Sequence, residues 1–319
     1  MKTLIAVTLL AFVASAAARS AQAPATSTRD RLVVSPAWLA QHATDGNLVL
    51  LHVGTRATYD AGHIGEARFV DFRALANGDG AADALTLEMP APDALRQRLA
   101  ALGISDDSRV VVYQSDDQWT PSTRVMLTLD YAGLSNVSWL DGGQKAWTTA
   151  GFPLSTAVPA ATPGRLSPLE IRPIVVDAEF VKAHLNTPAF AVVDARAPAF
   201  YDGSRTGGRP PAEHKTGHIA GALNAPFDAF TSADVRLKTP DEIAAVFTAA
   251  GVKPGDTVVG YCHIGQQASA MLFAARSLGY RVLLYDGSFE DWSRRNLPVE
   301  GPKKQEEARP SAAPAGPIS

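Results

Sequence analysis

Residues 258–269 of this 319-residue chain read VVGYCHIGQQAS, and residues 270–279 continue as AMLFAARSLG. The pattern predicts a short apolar strand, a tight loop containing glycine, and then a helix. Cys262, the only cysteine of the chain, lies in the loop. Loop N–H groups and the positive end of a helix dipole favour the nucleophilic thiolate over the thiol. The alternative is a buried cysteine that acts only as a small hydrophobic residue; the setting favours the reactive one.

The same unit occurs twice, at a spacing of about 150 residues, which is typical of a duplicated domain. Four pairs of blocks match in the same order: 48–56 LVLLHVGTR with 191–196 AVVDAR, 62–67 GHIGEA with 217–222 GHIAGA, 109–114 RVVVYQ with 257–262 TVVGYC, and 140–147 LDGGQKAW with 285–292 YDGSFEDW. Gln114 therefore occupies the position of Cys262 in the first copy. A glutamine side chain cannot act as a sulfur nucleophile.

Amphipathic helical stretches at 92–103 and 240–251 alternate with the apolar strands, and each stretch ends at glycine. This alternation predicts an α/β fold with two tandem domains, each an open, mainly parallel sheet flanked by helices. We place the first domain at 32–156, a linker rich in Pro, Ala, Gly and Ser at 157–172, and the second domain at 173–300. The tail at 301–319 is expected to be disordered. Ligands of such sheets bind at the carboxyl ends of the strands, where the strand before Cys262 ends.

The N-terminus predicts a secretory signal peptide over 1–23. Lys2 precedes an apolar run at 4–13 that is too short to span a bilayer, and small residues follow at 14–23. Cleavage is expected between 16 and 23, with an uncleaved anchor as the alternative. We therefore expect a periplasmic or secreted protein without membrane contact after cleavage. A single cysteine means that the exported fold must be stable without disulfides.

The net charge of the chain indicates which classes of binding partner are disfavoured. A net charge of −3 and a pI near 6.2 argue against nucleic acid or an anionic membrane as a partner.

The repeated blocks resemble the rhodanese sulfurtransferases in their two-domain form, from about Leu32 to Val299. The resemblance implies an inactive N-terminal copy and a catalytic C-terminal domain, with no cofactor or metal. It implies ping-pong chemistry in which Cys262 takes the outer sulfur of a small anionic donor as a persulfide. Thiosulfate is the default donor and 3-mercaptopyruvate the next; the acceptor is cyanide, a thiol or a protein. The implied site consists of catalytic Cys262 with the substrate-binding residues Arg196, His263, Ile264, Gly265, Gln266, Gln267 and Ala268.

The loop departs from the best-known members of that family. A thiosulfate-type loop carries Arg and Lys after the cysteine, and a mercaptopyruvate-type loop carries small residues; the side chains at 263–267 match neither. The family's substrate-binding arginine aligns with Phe200, which leaves the donor class open. His263 would add positive charge below pH ~6.5, and a solvent-facing histidine with no special role is the alternative. The segment 203–211 is expected to be a mobile loop, and Arg205 or Arg209 is a less favoured anion contact.

Several other patterns have a structural explanation that competes with a functional one. Asp194 and Arg196 favour a structural ion pair, with Arg196 the better functional candidate. The spacing of His214 and His218 would suit zinc, but His218 recurs as His63 in the first copy, so a role in the fold is favoured. The tryptophans Trp147 and Trp292 also recur, and core positions are favoured for them.

Three other functions compete with turnover as a sulfurtransferase. A persulfide carrier or sensor that delivers sulfur to a protein partner is the main alternative. A cysteine phosphatase requires an arginine where the loop has Ala268, which argues strongly against that chemistry. A papain-like or redox role lacks a histidine partner or a second cysteine.

Overall fold

The computed structural model describes residues 27–77, 84–160, 162–209 and 212–301, with only the backbone of residues 209 and 212. The predicted signal peptide at 1–23 and residues 302–319 of the predicted tail lie outside this part of the chain. Within it, no helix has the length and apolar character needed to cross a membrane.

The first domain is built on five parallel strands in the order β1-β5-β4-β2-β3. The strands are β1 (Val33–Val34), β2 (Leu48–Val53), β3 (Arg68–Val70), β4 (Arg109–Gln114) and β5 (Val137–Leu140). The helices are α1 (Thr28–Leu32), α2 (Pro36–His42), α3 (Arg56–Ala61), α4 (Pro92–Ala101), α5 (Thr120–Tyr131) and α6 (Gly143–Thr149). A 3₁₀ turn at Phe72–Leu75 follows β3.

The second domain repeats this arrangement, with parallel strands in the order β11-β7-β12-β13-β6. Its strands are β6 (Val175–Val176), β7 (Phe190–Asp194), β8 (Gly208–Arg209), β9 (Ala212–Glu213), β10 (His218–Ile219), β11 (Leu223–Asn224), β12 (Thr257–Tyr261), β13 (Arg281–Tyr285) and β14 (Val299–Glu300). Its helices are α7 (Ala178–His184), α8 (Pro198–Tyr201), α9 (Pro240–Ala250), α10 (Gln266–Ser277) and α11 (Ser288–Arg294). The predicted fold class, two tandem α/β domains with parallel sheets, is confirmed.

Local sequence signals explain where the predicted helices begin and end. In α9, the Thr239 side chain accepts a hydrogen bond from the Glu242 backbone, and the Glu242 carboxylate accepts one from the Thr239 backbone. Pro240 occupies the first turn, where its missing N–H costs no hydrogen bond. The helix ends at Gly251, whose φ of +95° is readily available only to glycine.

The two domains pack through α5 and α10, so that one hydrophobic cluster includes residues of both sheets. The ring of Trp139 in the first domain lies 5.6 Å from the ring of Phe273 in the second, edge to face. The hydroxyls of Thr123 and Ser269 meet at 3.3 Å across the same interface. Most residues of α5 are buried, and this helix packs against α10 of the second domain.

The segment 203–211 contains backbone pairing that its composition did not indicate, and its mobility stays a prediction. The predicted mobile loop at 203–211 contains β8, which pairs antiparallel with β9 in the register Gly208↔Glu213. The φ of Gly208 is +84°, a conformation that turns the chain into this pairing at low cost. The glycine-rich composition predicted a loop. The pairing of β8 with β9 depends on backbone hydrogen bonds, so it leaves no pattern of side chains in the sequence.

Candidate active site

Cys262 lies directly after β12, and the start of α11 holds its backbone. The Cys262 N–H donates to the Ser288 hydroxyl at 3.3 Å, and the Cys262 carbonyl accepts from the Phe289 N–H at 3.0 Å. Gly265 makes the turn into α10 with a φ of +81°. The predicted strand, glycine turn and helix are therefore present, and the tertiary contact with α11 fixes the loop from the other side.

The thiol of Cys262 is fully buried, at 0% exposure. Burial raises the pKa of this thiol above its ordinary value, while hydrogen bonds from the backbone N–H groups of Ala268, Ile264 and Gln267 act to lower it. The loop N–H groups therefore act in the direction that the sequence predicts, and desolvation of the buried thiol acts against them. The cradle itself is present: three donors point at one sulfur atom, where an anion can be stabilised.

Arg196 and Asp194 form a fully buried ion pair beside the cysteine. The Arg196 Nη2 lies 2.6 Å from the Asp194 Oδ2, and Nε donates to both carboxylate oxygens at 3.0 Å. Nη2 also donates to the Gly217 carbonyl at 2.8 Å, and the guanidinium carbon lies 4.1 Å from the centre of the Phe289 ring. This arrangement agrees with the structural ion pair favoured by the sequence. The charge of Asp194 also contributes to raising the pKa of the Cys262 thiol.

His263 faces His214, with 3.3 Å between their Nδ1 atoms. Burial, followed by the charges of Arg196 and other cations, lowers the pKa of His263 to about 3. Burial also lowers the pKa of His214. A pKa of about 3 argues against the prediction that His263 supplies positive charge near pH 6.

A cavity of about 440 Å³ opens beside the loop that follows Cys262, between the two domains. The first domain contributes Arg73 and Thr86 to its wall. The second domain contributes Gly208, His214, His263, Ile264 and Glu290. A donor that approaches through this cavity would contact both domains.

Arg205, a cation from outside the loop, lies near His263. The guanidinium carbon of Arg205 stands 4.8 Å from the centre of the Phe200 ring, and that ring packs edge to face on His263 at 4.7 Å. The Arg205 charge is close enough to help lower the pKa of His263. The sequence placed phenylalanine where the family has an arginine; in three dimensions that phenylalanine supports an arginine five residues later.

The remaining predicted loop residues have separate neighbours. Ile264 lines the cavity. The Gln266 side chain turns to the first domain and donates to the Thr120 hydroxyl at 3.0 Å. Gln267 has a buried Oε1 with no hydrogen-bond partner among the described residues. The roles proposed for these side chains thus remain predictions, whereas the backbone N–H groups of 264, 267 and 268 converge on the sulfur.

The histidine pair spaced for zinc separates in the fold. The His218 Nδ1 lies 2.7 Å from the Tyr201 carbonyl oxygen, and the His218 ring stacks on the Tyr201 ring with 3.7 Å between the ring centres. His214 instead faces His263. His63 repeats the stacked arrangement on Tyr59 at 4.0 Å, as a role in the fold predicts. Among the residues with described side chains, no three of His, Cys, Asp and Glu are grouped to hold a metal ion.

Sequence reasoning missed the contributions from outside the Cys262 loop. Arg73 and Thr86, which line the cavity, belong to the first domain, and no local pattern connects them to Cys262. Ser288 could have been found, because its counterpart in the repeat is Gly143 and a difference at a matched position is informative. Its φ of +52° is unusual for a residue other than glycine, which also marks the position.

Comparison with known proteins identifies the repeated unit. A sequence profile described as a Rhodanese-like domain matches residues 35–150 and 177–295. A thiosulfate sulfurtransferase of Pseudomonas aeruginosa is 31% identical over 272 residues, which cover 84% of this chain and 97% of that protein. The sulfur carrier protein TtuD of Thermus thermophilus is 30% identical over 271 residues, which cover 82% of this chain and 93% of that protein.

Solved structures show the same fold. The structure of wild-type EanB superposes with a TM-score of 0.76 at 24% identity, over 86% of this chain and 70% of that one. This likeness concerns the fold alone.

Proposed function

The chain belongs to the rhodanese family of sulfurtransferases, and we propose that it moves sulfane sulfur from thiosulfate to a thiophilic acceptor through a persulfide on Cys262. The observation that carries this proposal is the convergence of three backbone N–H groups on the buried sulfur of Cys262. A nucleophilic sulfur that is held by fixed donors needs no metal for the transfer.

The chemistry takes two displacement steps. The Cys262 thiolate attacks the outer sulfur of thiosulfate, a new S–S bond forms at Cys262, and the old S–S bond breaks with its electron pair leaving on sulfite. Cyanide or a thiolate then attacks the terminal sulfur, and the electron pair of the breaking S–S bond returns to Cys262. Because each step forms or releases an anion at the same place, the N–H groups of Ile264, Gln267 and Ala268 stabilise both.

Two arginines favour an anionic donor. Arg205 stands above the Phe200 ring, which packs on His263, and Arg73 lines the cavity from the first domain. Neither guanidinium has a carboxylate within ion-pair distance among the described residues. A planar guanidinium recognises the oxygens of thiosulfate or a carboxylate well. These two residues take the place of the cations that the loop lacks.

Intact mass spectrometry tests the proposal directly. We expect the mature protein to gain one sulfur atom after brief incubation with thiosulfate, and to lose it when cyanide is added. Cys262→Ser should gain none. A parallel incubation with 3-mercaptopyruvate identifies the better donor. Absence of sulfur gain with both donors would contradict the enzymatic function.

The second candidate is a persulfide carrier that delivers sulfur to a protein. The full burial of Cys262 and the similarity to a protein named as a sulfur carrier favour it. A carrier would load one sulfur but turn over slowly with cyanide and with small thiols. Steady turnover with either small acceptor would exclude this candidate.

Export to the periplasm or the medium is a further part of the proposal, supported by the signal-like composition of residues 1–23. Expression of the full chain in a bacterial host, followed by fractionation and N-terminal sequencing, tests it. We expect a mature N-terminus between residues 17 and 24 in the periplasmic fraction. An intact N-terminus in the cytoplasm would contradict export.

A further inference from the structure

Arg124 is a buried cation of the first domain that lies against the catalytic loop of the second. Only 2% of the residue is exposed. Its Nη2 donates to the Leu87 carbonyl and to the Asp286 Oδ1, at 2.9 Å from the latter. Its Nη1 is buried and has no hydrogen-bond partner among the described residues. A buried charged donor without a partner is energetically unfavourable and calls for an explanation.

The Nη1 atom of Arg124 packs on the turn that follows Cys262. A Cβ atom added to Gly265 would lie 2.8 Å from this Nη1 and 3.3 Å from the Asp286 carbonyl oxygen. Two facts therefore require glycine at 265: its φ of +81° and the presence of Arg124. The guanidinium and Asp286 together form the surface on which the loop turns into α10.

The internal repeat shows that this arginine is specific to the side with the cysteine. The helices α5 and α10 each have 12 residues, and they meet at matched positions, Thr120 with Gln266 and Thr123 with Ser269. The next position is Arg124 in α5 and Ala270 in α10. The interface thus carries a buried arginine against the Gly265 turn, whereas the matched position of α10 carries only the methyl group of Ala270.

The aspartates that follow β5 and β13 show the same asymmetry. Asp286 accepts from the Met89 N–H at 2.6 Å and binds buried Arg124. Asp141, its counterpart, accepts from the Leu237 N–H at 2.9 Å, but its arginine is the half-exposed Arg236 at 3.6 Å. Both aspartates hold a segment of the opposite domain, so that task does not by itself require a buried arginine.

We propose that Arg124 is a positioning residue for the sulfur transfer at Cys262, supplied by the domain that has no cysteine. Arg124 contacts the Gly265 turn, the Asp286 carboxylate and the Leu87 carbonyl. These contacts keep the N–H groups of 264, 267 and 268 directed at the sulfur of Cys262. The incompletely paired charge of Arg124 also balances Asp286 beneath the loop. The expected effect of Arg124 on turnover rests on the proposed function. Its expected effect on the reactivity of the free thiol does not.

The test compares Arg124→Met with Arg276→Met in the full mature chain. Arg276 lies on α10 and binds Asp130 of α5 at 2.8 Å, so its loss breaks an ion pair of the same interface away from the loop. Rates of Cys262 alkylation by iodoacetamide are measured from pH 6 to 10, together with single-turnover sulfur loading from thiosulfate and the melting temperature. Arg124→Lys, which keeps the charge but loses the fork, is the conservative variant.

We expect Arg124→Met to raise the apparent pKa of Cys262 alkylation by about one unit, because a nearby cation is lost and Asp286 is left unbalanced. Sulfur loading should slow by about tenfold or more, since small displacements of catalytic groups are costly. Arg276→Met should leave both quantities within about twofold of the wild type, since surface and remote interface changes rarely alter chemistry. Arg124→Lys should fall between the wild type and Arg124→Met.

Alkylation and loading profiles of Arg124→Met that match those of Arg276→Met would overturn the proposal, whatever the melting temperatures. If Arg124→Met does not fold, the same decision rests on Arg124→Lys, for which unchanged profiles would overturn it. A shifted alkylation profile in a protein that loads no sulfur from any donor would support the role of Arg124 and contradict the proposed function instead.

Discussion

The two domains share their frame and differ at the ends of their strands. In each, a tyrosine before the strand end accepts an N–H from the Gly-His-Ile block: Tyr113 from Ile64 at 2.9 Å and Tyr261 from Ile219 at 3.1 Å. In each, a tryptophan donates to a proline carbonyl six residues later at 2.8 Å. The residues that recur in the repeat therefore maintain the fold.

The strand registers show which residues of the two domains occupy equivalent positions. Tyr113 pairs with His52, and Tyr261 pairs with Asp194. His52 thus occupies the position of Asp194, and Gly54 occupies that of Arg196. The buried ion pair of the second domain is replaced in the first by a neutral histidine, which bonds to the Tyr113 hydroxyl at 3.1 Å.

The central position differs most. The Gln114 Oε1 accepts the Trp139 indole N–H at 3.0 Å, and the side chain is 1% exposed. Its Cδ and Nε2 lie where a Cβ atom on Gly143 would be, so the glutamine fills the space beside that glycine. At the same place in the second domain, Ser288 binds the Cys262 backbone. The comparison teaches that the same frame can hold a packed glutamine or a reactive loop, depending on a few residues at the strand ends.

Exchange of the central residues is the strongest way to break this comparison. We expect Cys262→Ser to reduce sulfur transfer below about one thousandth of the wild-type rate, because the nucleophile is lost. The double variant Gln114→Cys with Cys262→Ser should remain equally inactive, because residues 115–121, SDDQWTP, do not repeat the loop that follows Cys262. Intact mass after thiosulfate treatment provides the measurement. A gain of one sulfur atom by the double variant would show that the first domain retains a competent site.

Disruption of the buried Asp194–Arg196 ion pair tests the second difference between the domains, namely that the first domain has a histidine, His52, in place of this pair. Asp194→Asn leaves Arg196 without a counter-charge, and we expect a loss of about 3–5 kcal/mol in the free energy of unfolding. The control is Asp60→Asn in the first domain, whose ion pair with Arg56 is 3.9 Å long and exposed. That change should cost less than about 0.5 kcal/mol. Urea denaturation compares the two, and equal losses would refute the assigned importance of the buried pair.

Acid sensitivity of the first domain is expected from His52. Burial lowers the pKa of His52 from 6.5 to about 4. The unfolded chain therefore binds the proton first, so this contribution to stability is complete above pH 6.5 and is lost as the pH falls towards 4. It amounts to at most about 3 kcal/mol. Urea midpoints from pH 7 to 5 should fall more steeply for the wild type than for His52→Gln; parallel slopes would contradict the assignment.

The shared tyrosines provide the smallest and most symmetrical test. Tyr113→Phe and Tyr261→Phe each leave one buried N–H without its acceptor, and Tyr113→Phe also removes the hydroxyl that faces the His52 Nδ1. Each change should cost about 1–2 kcal/mol. The free energies of unfolding of the two variants should agree within about 0.5 kcal/mol if the frame is truly common. A much larger loss for one variant would show that its domain uses the tyrosine for more than the frame.

Most of the fold was predictable from local patterns. The helices at 92–103 and 240–251 were found because their apolar spacing and terminal glycines are local signals. The hairpin of β8 and β9 was not found, because its pairing depends on backbone geometry. The lowered pKa of His263 and the raised pKa of the Cys262 thiol were also missed, because burial depends on packing by distant residues.

The candidate site divides in the same way. The sequence identified Cys262 and the loop 263–268 as one unit, since strand, turn and helix follow one another along the chain. It did not connect Arg205 with His263, because their proximity depends on the intervening ring of Phe200. Nor could it connect Arg124 with Gly265, which are 141 positions apart and belong to different domains.

The amino-acid sequence by itself therefore determined the duplicated parallel-sheet fold and the position of the single thiol, because hydrophobic periodicity, capping residues and repeats act over short distances. Tertiary structure alone decided the environment of that thiol. Its burial and the cations that the other domain brings to the loop arise from the packing of the two domains, and Coulomb and desolvation energies depend on distance in space rather than along the chain.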